Sequence, residues 1–235
     1  MKILLANGDS HTSGGYPGSD KPHNKEIVWA KHLAEDNDLK YFNVASHGAG
    51  TEEVSMSTII CASSLIEQHK ENPEDIFVCV LWGIDNRKYQ FWNGANHQSF
   101  CNEATWEPPS NIKDYVKYRT VVEAGGYDLY KDLYHIYITA IALERYGIKY
   151  LFMNTKPFKE PSDEKIKGLY RNIYNLYGDR INNHLGFHNK NDSFEGYLID
   201  KCEPRALGGV EKKTPYWGED GHKMWKEFIN GRMGN

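Results

Sequence analysis

Residues 3–14 read Ile-Leu-Leu-Ala-Asn-Gly-Asp-Ser-His-Thr-Ser-Gly, and this opening stretch constrains the fold more than any other. Ile3 to Ala6 are apolar without alternation, the pattern of a strand covered on both faces in a parallel sheet. The run breaks at Asn7, and Gly8 and Gly14 then bracket Asp9 and Ser10 in a polar turn. A serine at the carboxyl end of such a strand stands where open α/β sheets bind their ligands. With a base nearby its hydroxyl can be a nucleophile; without one, Asp9 and Ser10 simply cap the turn that follows.

The rest of the chain repeats the alternation. Ile27, Ala30, Leu33 and Ala34 fall at helical spacing, a strand follows over 40–45, and a long helix carries Val54, Ile59, Ile60, Leu65 and Ile66. A third strand over 76–82 is apolar on both alternations and therefore central. A helix over 128–146 stops at Gly147, a fourth strand covers 148–153, and another helix covers 163–177. The loop-rich region that follows holds a short strand at 196–200, and Met224, Trp225, Phe228 and Ile229 mark a C-terminal helix. Together these elements predict a three-layer α/β/α sandwich with a mainly parallel sheet of four or five strands. The 235 residues suit a single domain, 1–235.

Periodicity dissolves over residues 88–126, where Tyr89, Phe91, Trp92, Phe100 and Trp106 occur among polar residues and prolines. The segment is too long for a plain connection and reads as an aromatic-rich insertion over the carboxyl edge of the sheet. It would present rings to a sugar, or form a satellite cluster that only covers the core. Sixteen tyrosines and six tryptophans exceed what one core needs, so some belong to a cleft or an interface, and a homo-oligomer stays open.

A formal charge of −4 with no basic block gives no support for a nucleic-acid or anionic-membrane partner. No run is long enough to span a bilayer, and Lys2 to Ala6 is too short for a signal-peptide core, which predicts a cytoplasmic or otherwise soluble protein. The four cysteines are widely spaced, as expected of reduced thiols. His184 and His188 are four apart, but Gly186 between them argues against a helix and no third ligand is indicated, so no metal is expected. No Gly-x-Gly-x-x-Gly follows the first strand, and no organic cofactor is expected either.

Three further turns carry chemistry. Ser46-His47-Gly48-Ala49-Gly50-Thr51 lies between the second strand and its helix. Gly48 there would let the backbone approach a ligand and aim N–H groups at it, or Thr51 would merely cap the helix. Gly83-Ile84-Asp85-Asn86-Arg87 ends the third strand, with a carboxylate, an amide and a guanidinium in sequence. Near the C-terminus, Tyr216-Trp217-Gly218-Glu219-Asp220-Gly221-His222 places an imidazole, whose ordinary pKa suits a general base, just behind two carboxylates.

Gly8-Asp9-Ser10-x-x-x-Gly14 resembles the first sequence block of the SGNH hydrolases, also called GDSL esterases and lipases, and Asn43-x-x-x-x-Gly48 is similar to the second. The resemblance implies a flavodoxin-like layout, Ser10 as nucleophile, and the N–H groups of Ser10 and Gly48 as oxyanion donors. At the third block the family has Gly-x-Asn; here the ungapped position is Asp85. A carboxylate repels an oxyanion, so chemistry favours Asn86 as the donor, with Arg87 pairing Asp85 and Asp9 in a supporting place. The last block, Asp-x-x-His, makes His222 the base, oriented by Glu219 at that spacing or by Asp220 two residues before it. A second alignment matches Gly221-His222-x-x-Trp225 to the segment beyond the catalytic histidine and puts Tyr216 at the base position, where a phenol of pKa about 10 is a poor base. His11 and His47 are fallback bases at the same sheet edge. The implied activity is hydrolysis of a carboxylic ester, an O-acetyl or other short acyl group on a small molecule or carbohydrate, through an acyl-enzyme on Ser10. The alternative is a catalytically degenerate SGNH-fold protein that binds carbohydrate or serves as a structural module.

Overall fold

The computed structural model describes residues 2–14, 27–47, 49–83, 89–93, 96–100, 127–156, 164–187, 189–199, 201–202 and 217–232. Five parallel strands form the central sheet: β1 (Ile3–Gly8), β2 (Lys40–Asn43), β3 (Ile76–Trp82), β6 (Lys149–Asn154) and β7 (His184–Leu185), in the spatial order β2-β1-β3-β6-β7. β1 and β3 are interior strands and run in register from Ile3 opposite Ile76 to Gly8 opposite Leu81. Two further strands, β4 (Tyr89–Asn93) and β5 (Asn96–Phe100), pair antiparallel with each other.

Side chains alternate across each strand, so two apolar layers are built from one sheet. Ile3, Leu5, Val78, Val80, Tyr150 and Phe152 point to one side. They are covered by α3 (Thr51–Glu67), α4 (Tyr127–Tyr146) and α5 (Glu164–Tyr177) through Val54, Leu65, Leu133, Ile136, Ile173 and Tyr177. Leu4, Ala6, Phe77, Cys79, Leu81 and Met153 point to the other side. There α2 (Trp29–Asp36), α6 (Phe194–Leu198) and α7 (Glu219–Asn230) cover them with Trp29, Leu33, Phe194, Trp225 and Ile229. This is the expected three-layer α/β/α arrangement, with helices on both faces supplied by crossover connections.

Several sequence expectations change. Residues 196–200, expected as a strand, fall largely in helix α6, because Ser193 Oγ accepts from the Gly196 N–H and caps it. The fifth strand is instead the two-residue β7, inside the stretch read as loop. Gly50, not Thr51, is the N-cap of α3, and Thr51 is its buried first residue. Asp85, Asn86, Arg87, Gly48, His188, Tyr216 and most of the 88–126 segment lie outside the described residues. Cys61, Cys79 and Cys202 are free thiols, and burial pushes that of Cys79 far above its ordinary pKa. Among the described residues no helix is long and apolar enough to cross a membrane.

Candidate active site

β1 delivers Ser10 through a turn that only glycine allows. Gly8 has φ 147°, and a Cβ there would stand 2.5 Å from the Leu81 carbonyl oxygen and 2.7 Å from Thr12 Oγ1. Its absence lets β1 lie tightly against β3 while the chain folds back. Asp9 then caps a single helical turn, α1 (Ser10–Ser13): its Oδ1 accepts from the His11 N–H at 2.9 Å, and its carbonyl accepts from Thr12 and Ser13. The other Asp9 oxygen occupies the space beside Gly83, where a Cβ would come within 2.8 Å of it. Gly14, at φ 75°, closes the turn by donating its N–H to the Ser10 carbonyl. Asp9, expected as a supporting residue, caps the turn that carries Ser10, and Ser10 sits at its first position, 2% exposed.

Two asparagines that the sequence reading left unassigned to this task brace the turn. Asn43, at the end of β2, donates from Nδ2 to the Thr12 carbonyl at 2.7 Å and accepts from the Ala45 N–H at Oδ1. Asn7, on β1, accepts from the Gly8 N–H at Oδ1 and donates from Nδ2 towards Val54 O, Ser57 Oγ and Thr58 Oγ1 on α3. The acceptors named for the two amide nitrogens, Thr12 for Asn43 and α3 for Asn7, are distant in sequence, so only the break of the apolar run at Asn7 and the polar end of β2 hinted at them.

His222 lies in the first turns of α7, on its buried stripe with Gly221, Trp225 and Ile229. Across from it, helix α2 begins at Trp29, and its N-cap, Val28, offers no side-chain acceptor. His222 fills that role: its Nδ1 accepts from the Trp29 N–H at 3.3 Å. An acceptor at Nδ1 places the proton of the neutral ring on Nε2. Burial, followed by the imidazoles of His11 and His32, lowers the His222 pKa from 6.5 to about 3, and the positive end of the α2 dipole acts in the same direction. Of the two carboxylates expected to orient this ring, Glu219 has partners of its own. Glu219 meets Lys223 at 2.8 Å and lies 3.9 Å from His32 Nε2, and Asp220 is exposed. Among the described residues the hydrogen bond of the His222 ring is the one with Trp29, so as it stands the ring is a neutral helix cap rather than a base oriented by a carboxylate.

The fallback bases separate. His47 is exposed, whereas His11 is buried and its ring meets Phe194 at 5.0 Å between centroids. Phe194 also meets His222, at 5.7 Å. One phenyl ring therefore joins the residue after Ser10 to the C-terminal helix.

No protein-family model matches the sequence, and no curated protein matches it. Solved structures do. A protein assigned to the G-D-S-L lipolytic family from Desulfitobacterium hafniense DCB-2 superposes with a TM-score of 0.50 over 98% of this chain and 99% of its own, at 16% identity. The psychrotrophic esterase EstA from Pseudoalteromonas sp., in a structure inhibited by monoethylphosphonate, gives 0.50 over the whole of both chains at 11% identity. The fold is that of the SGNH hydrolases. At such identities the likeness is one of fold.

Within the SGNH layout, Ser10 stands at the carboxyl edge of β1, between β2 and β3. Of the other residues assigned by the resemblance, Gly48, Asn86, Asp85, Arg87 and Tyr216 fall outside the described residues, and His222 is placed as given above. His184 lies on β7 and is engaged through both ring nitrogens, by Tyr177 and Asn154. Among the described residues no group of three or more His, Cys, Asp or Glu is placed to hold a metal ion.

Proposed function

We propose that this protein is a serine ester hydrolase of the SGNH type, acting on a short acyl ester such as an O-acetyl group on a small molecule or carbohydrate. The observation that carries the reading is the place of Ser10: the first residue of a capped helical turn at the carboxyl edge of an interior parallel strand. The Ser10 hydroxyl attacks the ester carbonyl, the alcohol leaves, and water hydrolyses the acyl-enzyme to the acid and free Ser10. The N–H groups of Ser10 and Gly48, with the Asn86 amide, hold the oxyanion. In this reading His222 takes the serine proton on Nε2, after its own proton has moved to Nδ1 and the contact with Trp29 has been given up.

A second reading rests on His222 as found, with Nδ1 occupied and a pKa of about 3. It makes the chain an SGNH-fold binding module without turnover. A serine-directed fluorophosphonate, together with a short-chain acetyl ester, separates the two. Wild-type protein should be labelled and turn over, and Ser10→Ala should do neither. An unlabelled, inactive wild type would favour the binding module. His222→Asn keeps an acceptor for Trp29 but cannot act as a base. Loss of turnover by orders of magnitude in that folded variant supports His222 as the base, and retained turnover assigns the proton transfer to another group.

A further inference from the structure

On the face covered by α4 and α5, three buried side chains form a continuous polar chain. Asn154 ends β6, His184 opens β7 and Tyr177 ends α5. Tyr177 Oη lies 2.9 Å from His184 Nδ1, His184 Nε2 lies 2.6 Å from Asn154 Oδ1, and Asn154 Nδ2 donates to the Gly186 carbonyl at 3.2 Å. That last bond orders the protons. An amide whose nitrogen donates to a carbonyl presents its oxygen to the imidazole, so Nε2 of His184 carries the proton, Nδ1 accepts, and the Tyr177 hydroxyl donates.

The chain continues through the backbone towards Ser10. Thr155, next after Asn154, donates its N–H to the Trp82 carbonyl at the end of β3, and its own carbonyl accepts from the Glu195 N–H, both at 2.9 Å. Thr155 therefore ties the first turn of α6 to the carboxyl edge of the sheet. Phe194, the residue that opens α6, lies against His11 and His222. We infer that Tyr177, His184 and Asn154 are positioning residues whose hydrogen-bond chain, acting through Thr155, sets where Phe194 stands beside the Ser10 turn. They act on the wall beside the Ser10 turn, the kind of contiguous network that carries coupling between distant groups. The kinetic half of the test rests on Ser10 as nucleophile, and the spectroscopic half does not.

The test uses ¹⁵N-labelled full-length protein and three variants whose folding is first checked by circular dichroism. Tyr177→Phe and His184→Leu break the chain. His184→Gln preserves it, because a carbonyl oxygen can accept from Tyr177 while the amide N–H donates to Asn154. The imidazole resonances of His11 and His222 should move in the first two variants and return towards wild type in the third. The kcat for a short acetyl ester should fall about tenfold with KM little changed, and recover in His184→Gln. If His184→Leu fails to fold, Tyr177→Phe, which loses a single oxygen, decides together with His184→Gln. Unmoved His11 and His222 resonances in folded Tyr177→Phe overturn the inference and leave the chain a stabilising feature only. If wild type hydrolyses no ester, the Ser10 reading fails by itself, and the resonances still decide this one.

Discussion

His184 and His222 are equally buried, each 4% exposed, yet their surroundings treat them in opposite ways. His184 is bonded at both ring nitrogens, within a ring of edge-on aromatic contacts from Phe152, Tyr177 and Phe187. His222 has one long bond to a backbone N–H, and the groups packed near it are short of partners. Among the described residues the indole N–H groups of Trp29, Trp217 and Trp225, and Nε2 of His32, are buried without a hydrogen bond. Leaving a buried donor unpaired costs about 1–3 kcal/mol. The neighbourhood of His184 is committed to one arrangement, whereas that of His222, which shares the Phe194 wall with the Ser10 turn, keeps donors that an incoming acceptor could satisfy.

The largest effect expected from this contrast is on acid stability. The folded-state pKa of His222 lies near 3, below the ordinary imidazole value of 6.5, so between those values the unfolded chain binds a proton that the folded chain refuses. Stability is therefore full above pH 6.5 and declines as pH falls towards 3. At 1.36 kcal/mol per pH unit of difference, the loss amounts to about 5 kcal/mol at the bottom of that window. Urea unfolding at a series of pH values measures it, and His222→Asn should flatten the curve. A wild-type midpoint that stays level from pH 7 to pH 4 would break the assignment of a neutral, buried cap.

Substitution at neutral pH gives the next effect. His222→Ala leaves both a cavity and an uncapped Trp29 N–H and should cost about 2–4 kcal/mol, while His222→Asn, which keeps an acceptor, should cost about half as much. Equal losses would mean that the Trp29 contact contributes nothing. On the other side, Tyr177→Phe removes the donor to His184 Nδ1 and should cost about 1–3 kcal/mol, although the variant loses only one oxygen. The smallest effect is at Thr155, whose Oγ1 is buried without a partner. Thr155→Val keeps the shape and should be neutral or stabilise by up to about 1 kcal/mol in the same unfolding assay.

Much of this architecture is legible in the sequence where the signal is local. The unbroken apolar runs at 3–6 and 76–82 are β1 and β3, and the helical stripe that ends at Gly147 is α4. The short elements were not legible: β7 has two residues, too few for any period, and α6 has five. The cap at Ser193 was the available clue to α6, but the apolar residues at 194, 197, 198 and 199 suit a strand almost as well. His222 carried a clue as well. Gly221, His222, Trp225 and Ile229 fall on one helical face, and a residue on the buried stripe of an amphipathic helix is more often packed than reactive.

The amino-acid sequence by itself determined the strand, the break and the capped turn that presents Ser10, because the apolar run is continuous and the turn's own caps, the Asp9 bonds to His11, Thr12 and Ser13 and the Gly14 bond to Ser10, span at most four residues. Tertiary structure decided which ring nitrogen of His184 and of His222 carries the proton. The partner of His222 is 193 positions away, and those of His184 lie 7 and 30 away. A ring's tautomer and basicity follow from the groups that surround it after folding, and burial beside two other imidazoles is a property of the packed layers, not of any segment.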